Sequence, residues 1–340
     1  MQYGMLRRVT GVLAAVLLVG SPLVAQTFTH LFTFDETDGS FGNQQGMVLA
    51  QGYDGNLYGT SMGGGEYSYG TIFRLTPTGT VTTLYTFIGN LTHQHESCCP
   101  PTGLTLGNDG NFYGVAQGGT EEGGVPFKID PIRGCGLPPP SLGCQYTVIY
   151  NFCSSSSCPP RAGPAPIPLI LGRACNFYGA TTAGGKYDAG TIYRITPTGT
   201  VTVLHAFCSI VQDGSCVDYS PAEGGGMIQG SDGNIYGTVN GYENTGGGLG
   251  YVFKLTPTGR FTILYTFCEG GSCYEGGNPS GGLAEGNDGN YYGMTEYGGV
   301  YGSGTIFEIT PAGAYTQLHA FCSDVTFPNC PHDGFFRYPH

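Results

Sequence analysis

The fold is decided by the stretch Asp54-Gly55-Asn56-Leu57-Tyr58-Gly59-Thr60. After a short gap it continues as Gly70-Thr71-Ile72-Phe73-Arg74-Leu75-Thr76-Pro77-Thr78-Gly79, and then as Val81-Thr82-Thr83-Leu84-Tyr85-Thr86-Phe87. Versions of it return around Asn111, Asn176, Asn234 and Asn290. Five copies of one short unit predict an array or a ring of that unit. We expect one repeat domain over residues 28–339, with units at approximately 46–87, 103–152, 168–207, 226–267 and 282–321.

Each unit contains four short segments that are typical of strands, which we call A to D. Strand A is a short apolar run, strand B carries a Tyr-Gly step, strand C ends in a proline turn, and strand D alternates apolar residues with threonine, as in 81–87. No long stretch has the 3.6-residue apolar period of a helix. The sequence therefore predicts an all-β fold, a β-propeller of five four-stranded units.

The two ends leave the closure of the propeller open. Residues Phe28–Phe34 resemble a strand D without its partners, which predicts an extra N-terminal strand, and Asp333 to Pro339 resemble the approach to a sixth strand A. Either the N-terminal strand closes the ring by pairing with the last blade, or the chain is a shortened member of a longer array.

The recurring Asp-Gly-Asn and Tyr-Gly elements are interpreted as scaffold. Asp-Gly between apolar strands is a hairpin signal, since glycine accepts positive φ, and the acidic ligands of a calcium loop are missing. A glycine inside a strand predicts close packing by a ring, so the tyrosines are expected in the core rather than in a ligand-stacking ladder. The third unit replaces the turn with Ala174-Cys175-Asn176.

The same run, from the Asp-Gly-Asn-Leu-Tyr-Gly-Thr step through the glycine cluster to Thr-Pro-Thr-Gly, resembles the GloVer tandem repeat of secreted bacterial proteins. The resemblance covers essentially residues 28–339. It implies a repeat scaffold of propeller type and carries no shared catalytic residues. Members of the family often end in a sorting or anchoring segment, which is not recognisable in this sequence, so the mode of surface attachment is left open.

Residues 1–25 differ from all that follows. Arg7 and Arg8 precede an apolar run from Val9 to Val19, and cleavage near Ala25 would complete a secretory signal peptide. An N-terminal membrane anchor is the alternative, although the run is short for a span. We expect a secreted, periplasmic or cell-surface protein, monomeric and without a membrane span in its mature chain.

The acidic charge limits the partners of the protein. The formal net charge is −12, and only 11% of the residues are charged. Such a surface repels phosphate backbones and anionic lipid, so we expect neither nucleic acid nor a membrane surface as a partner. An extracellular polysaccharide or a surface protein remains as the expected partner.

The 13 cysteines fit an oxidising compartment. Several follow the last Phe of a unit and have a second cysteine a few residues on, a spacing that favours loop-stapling disulfides over zinc sites. The expected pairs are Cys153 with Cys158, Cys208 with Cys216, Cys268 with Cys273, Cys322 with Cys330, and Cys135 with Cys144. The pairing of Cys98, Cys99 and Cys175 is left open.

The loops where the copies differ are the expected site. In an up-and-down blade the A–B and C–D turns share one face, and the B–C and D–A loops share the other, where binding residues concentrate. The residues expected to contact a ligand, unless they are ordinary solvated loop residues, are Tyr67, Tyr69, Tyr187, Tyr242, Tyr297 and Tyr301.

Three functions fit these loops. The first is a binding or interaction module, with polysaccharide as the candidate ligand. The second is a propeller enzyme, a polysaccharide hydrolase or lyase, whose candidate acids and bases are Glu66, Glu121, Glu122 and Glu296. The third is a purely structural surface protein.

Other chemistry finds little support in the sequence. His93 and His95 could ligate a metal, although an irregular loop with a disulfide is the favoured interpretation of their segment. No nucleophile elbow, phosphate loop or dinucleotide fingerprint is present, and we expect no cofactor.

Overall fold

The computed structural model describes residues 30–35, 39, 49–89, 97–98, 100, 103–118, 123–131, 146–152, 168–212, 214–219, 225–241, 249–269 and 273–321. By its internal contacts the chain divides into two units, Met1–Leu31 and Phe32–His340, and every strand belongs to the second. The described part of the chain contains no helix, so it has none that is long and apolar enough to cross a membrane.

Each repeat forms one antiparallel sheet whose strands A to D pair in chain order. The first sheet contains β1 (Ala50–Gln51), β2 (Leu57–Ser61), β3 (Thr71–Leu75) and β4 (Val81–Thr86). The second contains β5 (Ser97–Cys98), β6 (Thr105–Leu106), β7 (Phe112–Gly118), β8 (Val125–Ile129) and β9 (Thr147–Val148). The third contains β10 (Ile170–Leu171), β11 (Phe177–Thr181), β12 (Thr191–Ile195) and β13 (Val201–Ala206).

A separate hairpin of β14 (Val211–Gln212) and β15 (Ser215–Cys216) follows the third sheet. The fourth sheet contains β16 (Met227–Gln229), β17 (Ile235–Val239), β18 (Tyr251–Leu255) and β19 (Phe261–Thr266). The fifth contains β20 (Gly277–Glu285), β21 (Tyr291–Tyr297), β22 (Thr305–Ile309) and β23 (Tyr315–Ala320). These blades confirm the expected all-β propeller class.

Two details differ from the expected architecture. The second sheet has a fifth strand, because β5 pairs with the loop end of β7 beyond β6. The extra N-terminal strand is absent over the described residues 30–35, which have no strand assignment; Phe28 and Thr29 lie outside the described residues. Phe34 nevertheless packs on Phe73, with ring centroids 4.8 Å apart.

Aromatic rings fill the space above the strand-B glycines, as the sequence predicts. A Cβ atom added to Gly59 would lie 2.7 Å from Cζ of Phe73, and one added to Gly237 would lie 2.5 Å from Cζ of Phe253. In the first four units the tyrosine beside this glycine faces the next sheet. Tyr58, for example, packs on Phe112 with ring centroids 4.3 Å apart. The recurring Tyr-Gly step is therefore core packing.

Four apolar clusters of buried residues join consecutive sheets: first to second, second to third, third to fourth, and fourth to fifth. Among the described residues, none of these clusters joins the fifth sheet to the first. Met294 and Leu318 of the fifth sheet are exposed, whereas Thr60 and Leu84 are buried at the matching positions of the first. The sheets thus form a series in which each one contacts its neighbours.

Candidate functional site

The topology separates two faces. Because successive strands are antiparallel, the A–B and C–D turns lie at one end of every sheet, here called the plain face. The B–C and D–A loops lie at the other end, here called the loop face. Five of the tyrosines expected to bind a ligand lie in the described part of the chain. They are exposed, and they are on the loop face: Tyr67, Tyr69, Tyr187, Tyr297 and Tyr301. Tyr242 lies outside the described residues.

Three of the five B–C loops have the same sequence pattern and the same backbone. The pattern Gly-Gly-X-Tyr-X-X-Gly occurs at 64–70, 184–190 and 298–304, in the first, third and fifth units. In each, the N–H of the last glycine donates to the carbonyl of the first, at 3.0 Å. The residue after the tyrosine has positive φ in all three: Ser68 (63°), Asp188 (57°) and Gly302 (73°). We call these the Gly-Gly-X-Tyr loops.

A buried pair of hydroxyl groups anchors each Gly-Gly-X-Tyr loop. In the third unit, Thr181 Oγ1 and Thr191 Oγ1 lie 3.0 Å apart, at facing positions of β11 and β12. Thr181 Oγ1 also accepts from the Thr191 N–H at 3.0 Å and donates to the Ala183 carbonyl at 2.9 Å. The same bonds recur between Ser61 and Thr71 in the first unit, and between Thr295 and Thr305 in the fifth.

The second and fourth units lack this anchor. The facing positions there hold Ala116 with Val125, and Val239 with Tyr251, so no hydroxyl pair is present. Their B–C loops also lack the Gly-Gly-X-Tyr sequence. The anchor and the loop therefore occur together, which indicates that the hydroxyl pair serves to hold this loop.

The anchored loops present tyrosine to solvent. Tyr67, Tyr187 and Tyr301 occupy the same position of the loop and are 36%, 44% and 42% exposed. The residue before each tyrosine differs: Glu66, Lys186 and Val300. The Lys186 ammonium lies 5.0 Å from the centre of the Tyr187 ring. Desolvation and the Glu66 carboxylate raise the pKa of Tyr67.

The fifth unit exposes several large apolar side chains on the loop face. The disulfide Cys268–Cys273 closes the D–A loop that precedes this unit, and the Cys273 carbonyl accepts from the Gly299 N–H at 2.9 Å. That bond ties the D–A loop to a Gly-Gly-X-Tyr loop. Large apolar side chains are exposed on the two tied loops and at the end of β21: Tyr274, Tyr297, Val300 and Tyr301.

Glu296, a candidate acid or base, is not an accessible loop carboxylate. It is 7% exposed, and its Oε2 accepts from Asn278 Nδ2 at 2.7 Å. Glu66 is exposed in the first unit, whereas Glu121 and Glu122 lie outside the described residues. Glu66 lies in the B–C loop of the first unit, and Glu296 lies in β21 of the fifth.

The other D–A loop with a described disulfide follows the third sheet. Cys208 and Cys216 are bonded, as the spacing predicts, and β14 and β15 lie inside the loop. The buried Asp218 carboxylate accepts from His205 Nε2 at 3.0 Å, and also from the backbone of Ser209 and of Ile210. Although burial raises the pKa of Asp218, these hydrogen bonds bring it below 3.8. This carboxylate fixes the loop and is not free to act as a base.

Several expected residues lie outside the described part of the chain. These are His93, His95, Cys99, and the pairs Cys153 with Cys158, Cys322 with Cys330, and Cys135 with Cys144. Cys98 is in β5, and Cys175 is an exposed free thiol. Within the described ranges, no three His, Cys, Asp or Glu side chains are grouped to hold a metal ion.

The plain face consists of turns that tie the scaffold together. In the fourth unit, Asp232 accepts from the Asn234 N–H and from the Tyr236 hydroxyl, at 3.0 and 2.7 Å. The same bonds recur at Asp54, Asp109 and Asp288. Partial burial raises the pKa of Asp232, but the hydrogen bonds lower it below 3.8 overall. The Asp-Gly-Asn elements are therefore turn chemistry.

The hydroxyl anchor and the loop pattern were not predicted from the sequence. The signal was available: a Ser or Thr at the end of strand B, a Thr at the start of strand C, and Gly-Gly-X-Tyr between them, in three units only. Because the B–C loops of the second and fourth units differ, a comparison of all five units does not reveal the pattern that three of them share.

Solved structures that resemble this chain are distant from it. A protein of unknown function from Bacteroides thetaiotaomicron VPI-5482 aligns with a TM-score of 0.45 and 15% identity, over 83% of this chain and 62% of its own. A putative oxidoreductase (glucose dehydrogenase) from Thermus thermophilus has a TM-score of 0.44 and 16% identity, over 82% and 84%. An exo-1,5-α-L-arabinanase from a bovine ruminal metagenomic library has a TM-score of 0.38 and 12% identity, over 81% of this chain and 96% of its own.

Likenesses this distant say nothing about activity, and this chain spans 62% of the length of the first structure. No curated protein matches the sequence. The model of the Gloeobacter/Verrucomicrobia repeat, in contrast, matches residues 17–165 and 140–334, which together cover nearly the whole chain. The tandem repeat read in the sequence is the same one, and the chain belongs to the Gloeobacter/Verrucomicrobia repeat family.

Proposed function

We propose that this protein is an exported repeat scaffold that binds extracellular polysaccharide through its loop face. One observation carries the proposal: three units hold an exposed tyrosine in the same rigid loop, at Tyr67, Tyr187 and Tyr301. A ring held in place loses little entropy when it is covered by a ligand. Its apolar face and its hydroxyl suit the apolar face and the hydroxyl groups of a sugar.

The surroundings of the three tyrosines support a sugar ligand. Glu66 and Lys186 stand beside two of the rings and supply an acceptor and a donor for ligand hydroxyls. The net charge of −12 disfavours polyanions, so a neutral polysaccharide fits best.

Export and domain organisation belong to the same proposal. The Cys208–Cys216 and Cys268–Cys273 disulfides suit an oxidising compartment. The charged and apolar segments of residues 1–25 suit a signal peptide. We place the protein outside the cytoplasm, as one repeat domain over residues 28–339 with the binding face on its B–C and D–A loops.

The test is retention on immobilised neutral polysaccharides, with dextran, xylan, arabinan and galactomannan as the panel. The wild-type protein should be retained by at least one of them, and the triple variant Tyr67→Ala/Tyr187→Ala/Tyr301→Ala should not be. Tyr53→Ala is the matched control, because Tyr53 is 77% exposed but lies at an A–B turn of the plain face. Failure of the wild-type protein to bind any member of the panel would contradict the proposal.

The same panel tests the enzyme alternative. Reducing-end release measured beside retention would reveal hydrolysis, and Glu66→Gln would abolish it if Glu66 takes part. The burial of Glu296 against Asn278 favours a binding protein over a hydrolase, so we expect retention without release.

A further inference from the structure

We infer that each Gly-Gly-X-Tyr loop is a self-sufficient subsite, and that the ligand is a repeating polymer held by three such subsites at once. This inference rests on the proposed function and adds the form of the ligand and the way it is bound. A protein with one cleft would bind a short oligosaccharide fully, whereas this arrangement gains its affinity from repetition.

Each subsite is built mainly within its own unit, and the fifth gains a bond from the D–A loop before it, from the Gly299 N–H to the Cys273 carbonyl. In the third unit the hydroxyl pair joins Thr181 with Thr191, and the loop bonds join Gly184 with Gly190 and Gly185 with Asp188. The final glycine carbonyl accepts from the Phe207 N–H of strand D in the same unit. None of these bonds comes from a neighbouring unit. Loss of one loop should therefore leave the other two intact.

The three subsites present the same group, a tyrosine ring. The loops share their backbone hydrogen bonds, and the tyrosines at their common position differ little in exposure. Three tyrosine rings held by the same loop backbone bind the same feature of a ligand. A ligand that satisfies all three must repeat that feature along its length.

The distance between the subsites rules out a small ligand that bridges them. The anchored loops belong to the first, third and fifth sheets; the second sheet lies between the first two of these, and the fourth lies between the last two. Packed sheets lie about 10 Å apart, so neighbouring subsites are separated by about 20 Å. A mono- or disaccharide cannot contact two such rings. Linking binding events along a polymer raises the overall affinity by about 10² to 10⁴ over that of one subsite.

The experiment compares a polymer with its own disaccharide. The probe is whichever neutral polysaccharide of the panel retains the wild-type protein, together with the disaccharide cut from it. Titration calorimetry should give three disaccharide sites in the wild-type protein, two after Tyr187→Ala, and one after Tyr187→Ala/Tyr301→Ala, with an unchanged affinity per site. Affinity for the polymer should fall in the same order, by about 10² or more in total.

A second variant tests the independence of the subsites. Thr181→Val/Thr191→Val removes one hydroxyl pair and leaves apolar residues at both positions, as the second unit has in Ala116 and Val125. It should weaken one disaccharide site and leave two unchanged.

The outcomes separate the two claims. If the wild-type protein binds the polymer but has one disaccharide site, or if a single tyrosine substitution abolishes all binding, the inference of three independent subsites is wrong while the polysaccharide-binding function stands. If the wild-type protein binds no polysaccharide, the proposed function fails and the inference fails with it.

Discussion

Replacing Tyr193 with phenylalanine should stabilise the protein, because the tyrosine buries a hydroxyl group that does nothing for the fold. Tyr193 lies in β12, and no part of it is exposed. Among the described residues, its hydroxyl has no hydrogen-bond partner. The ring lies over Gly179, so close that a Cβ atom added there would be 2.5 Å from Oη. Burial raises the pKa of Tyr193, which keeps the group neutral.

The size of the effect follows from the cost of that hydroxyl. A buried donor without a partner costs about 1–3 kcal/mol relative to its bonded state in water. The other four units hold phenylalanine at this position, at Phe73, Phe127, Phe253 and Phe307, and each is fully buried. Because the ring stays in place and only an oxygen is removed, we expect Tyr193→Phe to raise the free energy of unfolding by about 1–3 kcal/mol.

The measurement is equilibrium urea unfolding followed by circular dichroism. The midpoint should rise while the slope m stays constant, since the surface exposed on unfolding is unchanged. The reverse variant, Phe253→Tyr, is the matched control and should lose about 1–3 kcal/mol, because it adds the same unbonded hydroxyl above Gly237. A lower midpoint for Tyr193→Phe would refute the reasoning, since it would mean that the hydroxyl is bonded in the native protein.

Three further predictions concern the scaffold. Asp232→Ala removes the acceptor for Asn234 and Tyr236 and should lower the free energy of unfolding by about 1–2 kcal/mol in urea titrations. The control is the third unit, where Ala174 stands at the matching position and a substitution removes no such bond. The turn carboxylates have pKa values below 3.8, and Tyr58 and Tyr292 have pKa values of about 12. The free energy of unfolding, measured against pH, should therefore fall below about pH 4 and again from about pH 10 to pH 12. A flat profile at either end would count against these bonds. Cys208→Ser/Cys216→Ser opens a loop with a sequence separation of 8 and should cost about 2–3 kcal/mol by the chain-entropy account, while an unchanged thermal midpoint would show that Asp218 alone holds the loop.

The directions of the pH effects follow from linkage. A carboxylate whose folded pKa is lowered contributes stability above its unfolded pKa and loses it as the pH falls through the folded value. A tyrosine whose folded pKa is raised contributes fully below about pH 10 and loses that contribution as the pH rises toward 12. Between these limits we expect the stability to change little with pH on account of these groups.

The elements that repeat were predictable from the sequence, because each one is fixed by local chemistry. Asp-Gly-Asn forms the same turn wherever it occurs, and an aromatic ring from strand C packs over the glycine of the Tyr-Gly step in all five units. Five copies allowed these signals to be compared position by position. The disulfides Cys208–Cys216 and Cys268–Cys273 were predictable for a similar reason, since their short spacing leaves few other partners.

The features that depend on contacts between strands were not predictable in the same way. A glutamate in a variable loop segment is expected to face solvent, and only the position of Asn278 in β20 explains why Glu296 is buried. The extra strand β5 likewise forms because its residues meet the far end of β7. The hydroxyl anchor joins two strands across a loop, so neither of its residues indicates it alone.

Because of the hydroxyl anchor, the loop above it can be exchanged as one unit. Its seven residues begin and end on glycines that bond to each other, and the anchor beneath them is the same in the first, third and fifth units. Residues 65–69 can therefore be exchanged with residues 185–189 or 299–303 without altering what lies below. An array of this kind can change what it recognises one loop at a time, while its core stays constant.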